Sequence, residues 1–313
     1  MSPPFLRRGS ISSGACADTA PAECNLDEVP KEASPATGRV GKHFDRVLLA
    51  VHFRRPPTAC VVAFLARWCS TYFAHIVTVG PMAVTDCDSI PHVECQQGSL
   101  PSLAGGVMFR CYADVLRRYP GYRGYMLTND DAVLVPPRLT GFDLEHPWMY
   151  KLFGFSKSIN LDIPYSRQAV DEKWAHAAHY AELQEWWGNR APSDLKDRYK
   201  VRAGGVSFAL GHAFADFHYI PQAMISLYQD MSSELPNVWL EIWQPFLIRV
   251  WLANGGRVVE VPSFWFHPYD ELRGSKESLW QHYNSSGFHP LKLGDSEMRS
   301  HAAKWLRSAL APP

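Results

Sequence analysis

The chain lacks a surplus of either charge: Lys and Arg total 31, Asp and Glu total 31, and the net charge is zero. A nucleic-acid binder neutralises phosphates with a basic excess, so this balance argues against that class. No C-x-x-C pair occurs among the seven cysteines Cys16, Cys24, Cys60, Cys69, Cys87, Cys95 and Cys111, which removes a zinc framework. A disulfide such as Cys87 with Cys95 would suit a secretory chain, but spacing alone does not select a pair. Long apolar runs are missing too. The best candidate, residues 58–72, is interrupted by Arg67 and falls short of the roughly 20 residues that a spanning helix needs. Arg7 and Arg8 are followed by no apolar stretch, so no ordinary signal peptide or anchor is visible and a soluble chain is expected. The sequence also shows no internal repeat and no glycine-rich phosphate loop after its first apolar run.

What remains is the composition of a globular protein. With 313 residues, 46% of them hydrophobic, the chain can bury a substantial core as one large domain or two small ones. Residues 1–44, rich in Ser, Pro, Ala and Gly and without periodicity, read as a disordered tail. Residues 45–290 read as a single α/β domain, and residues 291–313 as an added amphipathic helix around Trp305 and Leu306.

Within the domain, residues 45–53 form a continuous apolar run, as expected of a strand buried on both faces. Prolines 56 and 57 then introduce a helix over 58–70, and residues 75–79 give a second strand closed by Gly80-Pro81. Residues 82–102 read as irregular with at most one short strand. A helix over 103–119 places Met108, Tyr112, Val115 and Leu116 on one face and ends on Arg117, Arg118 and Pro120-Gly121. Further on, the expected elements are a strand over 148–155, a helix over 171–187, a glycine-led strand over 202–210 and a mostly helical stretch over 212–228. A helix from about 239 to Asn254 and a strand over 257–261 complete the set. Alternation of this kind implies a mainly parallel sheet with helices on both faces.

The apolar run from Gly124 to Pro136 is interrupted by Asn129-Asp130-Asp131. An unpaired carboxylate in an apolar strand costs several kcal/mol or shifts its pKa until it is neutral, so two together call for a counter-charge. Mg²⁺ or Mn²⁺, which prefer hard oxygen ligands, is the simplest source. The position fits as well, since α/β sheets bind ligands beyond the carboxyl ends of their strands. A second reading stands beside this one: Asn-Asp is ordinary turn chemistry.

The order of these elements resembles the GT-A glycosyltransferases, over about residues 45–269. An opening strand–helix–strand unit is followed by an apolar strand ending in a short acidic motif, a Gly-Gly strand, a Glu-bearing helix start and a late His. The resemblance implies a GT-A-like sheet with a Rossmann-like nucleotide-binding half and an acceptor half. It places Asn129-Asp130-Asp131 on the family's D-x-D motif, Asn129 departing from the commonest pattern. Asp131, Asp130 and His267 would hold Mn²⁺ or Mg²⁺ against the diphosphate of a nucleotide-sugar, most simply a UDP-sugar. His52, Arg54, Asn129, Asp130, Gly204 and Gly205 would line the donor. Glu241 would deprotonate a hydroxyl acceptor on a glycan, glycoprotein or other molecule, and Asp131 would share in catalysis through the metal. The activity implied is hexosyl or pentosyl transfer.

Each assignment has a plainer counterpart. Glu241 also fits the acidic first turn of a helix, His267 a structural histidine between Phe266 and Pro268, Gly204-Gly205 a tight start to a strand, and Arg54-Arg55 a solvated pair. Trp186 and Trp187 fit either a sugar platform or the core. The rival activities are a nucleotidyltransferase of related fold and a catalytically silent sugar-binding or scaffold protein. Enzymes of this type often work in the secretory lumen behind an anchor; the expected compartment is therefore the cytoplasm for the sequence as given, or the Golgi lumen if an anchor is missing.

Overall fold

A computed structural model describes residues 24, 26, 29–30, 43–54, 56–81, 90–95, 108–152, 182–183, 185–199, 217–234, 238, 240–266, 286–289 and 293–310. Its first strand, β1 (Val47–His52), is buried at every position. Val47, Leu49 and Val51 face one core, while Leu48 and Ala50 face another, as the period of two requires. Helix α1 (Ala59–Cys69) follows, and the Thr58 hydroxyl accepts a hydrogen bond from the Val61 N–H at its start. Next come β2 (His75–Gly80), the short β3 (His92–Glu94) and α2 (Met108–Arg118), whose Met108, Tyr112, Val115 and Leu116 are all buried as the periodicity demands. The strand β4 (Gly124–Asn129) leads to the two-residue β5 (Val133–Leu134).

The later elements are β6 (Trp148–Leu152), a π-helical turn (Trp186–Arg190), the one-turn α3 (Ser193–Arg198), β7 (Phe217–Pro221), α4 (Ile225–Glu234), α5 (Leu240–Ala253), β8 (Val259–Phe266), β9 (Gly287–His289) and α6 (Ser296–Leu310). One expectation fails here. The stretch 212–228 is not mostly helical: its middle is β7, which pairs antiparallel with β4 and lies inside the sheet. Phe217, His218, Tyr219 and Ile220 are buried on both faces, so they carry no alternation, and Pro221 falls where the ladder ends. The helix expected over 171–187 lies mostly outside the described residues, and its end, Trp186-Trp187, belongs to the π-helical turn. Trp186 is buried and packs edge-on against Phe246 of α5, which makes it a core residue.

The described strands form one nine-stranded sheet in the order β3-β2-β1-β4-β7-β6-β8-β9-β5. Parallel pairings join β3, β2, β1 and β4, and again β6, β8 and β9; the pairings of β7 with β4 and β6, and of β5 with β9, are antiparallel. Seven strands therefore point one way, and only β7 and β5 run against them. The carboxyl ends of β1, β4 and β8 share one edge. One face is covered by α1 and α6, with Trp68, Phe64, Trp305 and Leu306 in its core. The other is covered by α2, α4 and α5, with Phe109, Tyr112, Tyr228 and Trp243. The expected α/β sheet, mixed and mostly parallel between helical layers, is what the chain forms. Among the described residues no helix is long and apolar enough to cross a membrane.

Among the described residues two disulfides are formed, Cys24–Cys60 and Cys95–Cys111, and Cys69 is a buried free thiol. The pairing of Cys87 with Cys95, one example of what would suit a secretory chain, does not form, because Cys95 is bonded to Cys111. The tail also departs from expectation at three points: Cys24, Leu26 and Val29 are buried in the α1 core. Cys60 lies in the first turn of α1, Cys111 in the first turn of α2, and Cys95 directly after β3. Helices that return antiparallel to their strands begin at the strands' carboxyl ends, so both bridges clamp the same edge.

Candidate functional site at the carboxyl edge

The Asn129-Asp130-Asp131 segment is a turn rather than an interruption within a strand. β4 ends at Asn129, and the Ala132 N–H donates to the Asn129 carbonyl at 3.1 Å, closing a β-turn. The chain then leaves the neighbourhood of β4, because β5 pairs with β9. All three polar side chains are partly exposed. The carboxylates are therefore not charges trapped in a dry core, and water screens them in part. The turn reading of the sequence was right about local geometry. What that geometry adds is place: a pair of carboxylates at the end of a central strand, beside the end of β1.

Hydrogen bonds on both sides fix this turn. Asn129 is in register with His52 across the β1–β4 ladder, and the Asp130 N–H donates to the His52 carbonyl at 2.9 Å. The Tyr112 hydroxyl donates to the Thr128 carbonyl at 2.9 Å and lies 3.5 Å from Asn129 Oδ1. On the far side, the Trp68 indole N–H donates to the Leu134 carbonyl at 2.7 Å, and the Val135 N–H to the Ser286 carbonyl at 2.8 Å. Tyr112 and Trp68 were missed as site-supporting residues by sequence reasoning. The signal available for Tyr112 was a phenol on an otherwise apolar helix face; Trp68 gave none.

His52 is buried, with only 2% of its surface exposed. Burial lowers its pKa to about 4, the positive charge of Arg54 pushes the same way, and Asp131 partly offsets both. The imidazole is therefore neutral at physiological pH. Its ring meets Tyr112 edge-on at 6.0 Å, and Tyr112 meets His218 at 5.6 Å. His218 stacks on Tyr228 at 6.5 Å, and Tyr228 abuts Trp243 at 4.5 Å. This file of rings runs from the acidic turn to the first turns of α5.

Glu241 is the second residue of α5; its side chain lies outside the described residues. Its turn is nonetheless located, since Trp243 stacks on Phe109 in the first turn of α2 at 4.9 Å. Arg54 is exposed just beyond β1. His267 and the Gly204-Gly205 pair lie outside the described residues, but β8 ends at Phe266, which pairs with His289. Because β9 and β5 are antiparallel, that end of β8 points toward the start of β5 and so toward Asp131. The fold thus brings together His52, Arg54, Asn129, Asp130, Asp131 and the start of α5 on one edge.

Among the described residues no group of three His, Cys, Asp or Glu side chains is placed to hold a metal ion. Asp130 and Asp131 supply two hard carboxylates on an open turn. That donor set fits Mg²⁺ or Mn²⁺, which keep several waters and take one or two carboxylates plus phosphate oxygens. Comparison of the chain with family models, with curated proteins and with solved structures finds no match.

Proposed function

We propose that the protein is a metal-dependent glycosyltransferase that uses a nucleotide-sugar donor and a hydroxyl acceptor. The observation that carries this reading is the convergence on one edge of the paired carboxylates after β4, the end of β1 and the acidic first turn of α5. The sheet order β3-β2-β1-β4 followed by an antiparallel β7 supports a GT-A-like arrangement of that edge. A nucleotide lying across the carboxyl ends of β1 and β4 would place its diphosphate at Asp130 and Asp131. A divalent cation bound there supplies Lewis-acid stabilisation of the departing diphosphate. His52, buried and neutral at the end of β1, adds no charge to this edge. Arg54 can approach the phosphates from solvent. Glu241, on the first turn of α5, is the base for the acceptor hydroxyl. The two disulfides support a secretory rather than a cytoplasmic site of action, because such bonds persist in oxidising compartments.

Calorimetry with a panel of UDP- and GDP-sugars, with and without Mn²⁺, tests the reading on the wild type and on Asp131→Ala. Binding that needs metal and is lost in the variant is expected, and the preferred nucleotide then defines the donor. Binding that ignores both metal and Asp131 overturns the proposal and returns Asn129–Asp131 to the role of a plain turn. Donor binding without turnover would favour the silent, sugar-binding alternative.

A further inference from the structure

Two buried tyrosines lie in the same file of rings and differ in one respect. The Tyr112 hydroxyl reaches the backbone at the end of β4, whereas the Tyr228 hydroxyl, equally buried, finds no hydrogen-bond partner among the described residues. A buried hydroxyl is retained at a cost unless it is bonded. The bonded one therefore has a definable task. Thr128 is the last fully buried residue of β4, and from it the chain turns out toward Asn129, Asp130 and Asp131. The Tyr112 ring is itself held on both sides by the His52 and His218 imidazoles. Its neighbour Cys111 is tied to Cys95. The hydroxyl is thus a fixed point against which the exit of β4 is set.

We propose that Tyr112 is the positioning residue of the acidic turn: by holding the Thr128 carbonyl and facing Asn129 Oδ1, it sets the angle at which Asp130 and Asp131 are presented. That the presented group is a donor-diphosphate site rests on the function proposed above; the positioning itself does not. Tyr112→Phe keeps the ring and removes only the hydroxyl, and Tyr228→Phe is its control within the same core.

Two measurements on the full chain separate the claims. In amide hydrogen exchange, Tyr112→Phe should speed exchange at Asp130 and Ala132 by about tenfold, the equivalent of one buried hydrogen bond. The central residues of β1 and β4 should keep their protection, and Tyr228→Phe should change neither. In a Mn²⁺ titration with UDP present, Tyr112→Phe should weaken binding by a similar factor. Unaltered exchange at Asp130 and Ala132, or a rise spread evenly through β1 and β4, overturns the positioning role whatever the titration shows. Faster exchange confined to the turn, in a protein whose wild type binds neither Mn²⁺ nor UDP, upholds the positioning and sinks the donor-site reading instead.

Discussion

The sheet is built in two halves by different means. In β3-β2-β1-β4 every pairing is parallel, and both disulfides close loops at the carboxyl edge. In β7-β6-β8-β9-β5 the directions are mixed, and the described contacts are packing and hydrogen bonds. Trp148 of β6 lies between Phe142 at 5.7 Å and Tyr219 at 4.7 Å, its indole N–H donating to the Asp143 carbonyl at 2.6 Å. The Tyr219 hydroxyl donates to the Leu144 carbonyl, and its ring occupies the space where a side chain on Gly124 would stand. The contrast shows how one rim is secured twice. The half that presents His52 and the acidic turn is fixed by covalent closure, and the half that completes the edge is fixed by interlocking aromatic rings.

The sharpest way to break this comparison is to remove the aromatic lock. Trp148→Ala should destabilise the protein by about 3–5 kcal/mol in urea unfolding, the cost of emptying a buried tryptophan site. A small loss would mean that the mixed half is held by something other than its rings. Next in size are the bridges. By loop-closure entropy, Cys24–Cys60 should contribute about 4 kcal/mol and Cys95–Cys111 about 3 kcal/mol. Paired Ser substitutions at Cys24 with Cys60, or at Cys95 with Cys111, followed by thermal melting, would test that order. Equal melting temperatures with and without reductant would remove covalent closure as the distinguishing device.

A smaller effect comes from pH. The folded pKa of His52 is about 4, below its ordinary value of 6.5. Between these two values the unfolded chain binds a proton that the folded chain refuses, so stability falls as pH drops from 6.5 toward 4. At pH 5 the loss relative to pH 7.5 should be about 2 kcal/mol. Melting in metal-free buffer should show it, and His52→Gln should flatten the slope. The smallest effect belongs to the start of α1: Thr58→Ala should cost about 1 kcal/mol in chemical denaturation by removing the helix cap.

The same two halves differ in how far they could be read from the sequence. Strands β1 and β2 were legible because unbroken apolar runs bounded by Pro and Gly have few other readings. Helix α2 was legible because one of its faces is apolar at helical spacing, and α1 because Pro56-Pro57 open an apolar stretch of helical length. Strand β7 was not, since Phe217 to Ile220 are buried on both faces and mix aromatic and imidazole side chains without a period. The acidic turn was found, yet its surroundings were misjudged: Val133 and Leu134 look like the resumption of β4, and only long-range pairing shows that they belong beside β9. Disulfide partners and the Tyr112 anchor depend on contacts between elements, which residue order does not encode directly.

The C-terminal helix carries a consequence for synthesis. Trp305 and Leu306 of α6 fill the same core as Val47 and Leu49 of β1 and Phe64 of α1. A helix synthesised long after β1 therefore completes the packing of that strand. Such contacts are slow to form because a long intervening chain must close first. Until they do, the part of that face not covered by α1 stays exposed in the nascent chain, an apolar surface that invites chaperone binding.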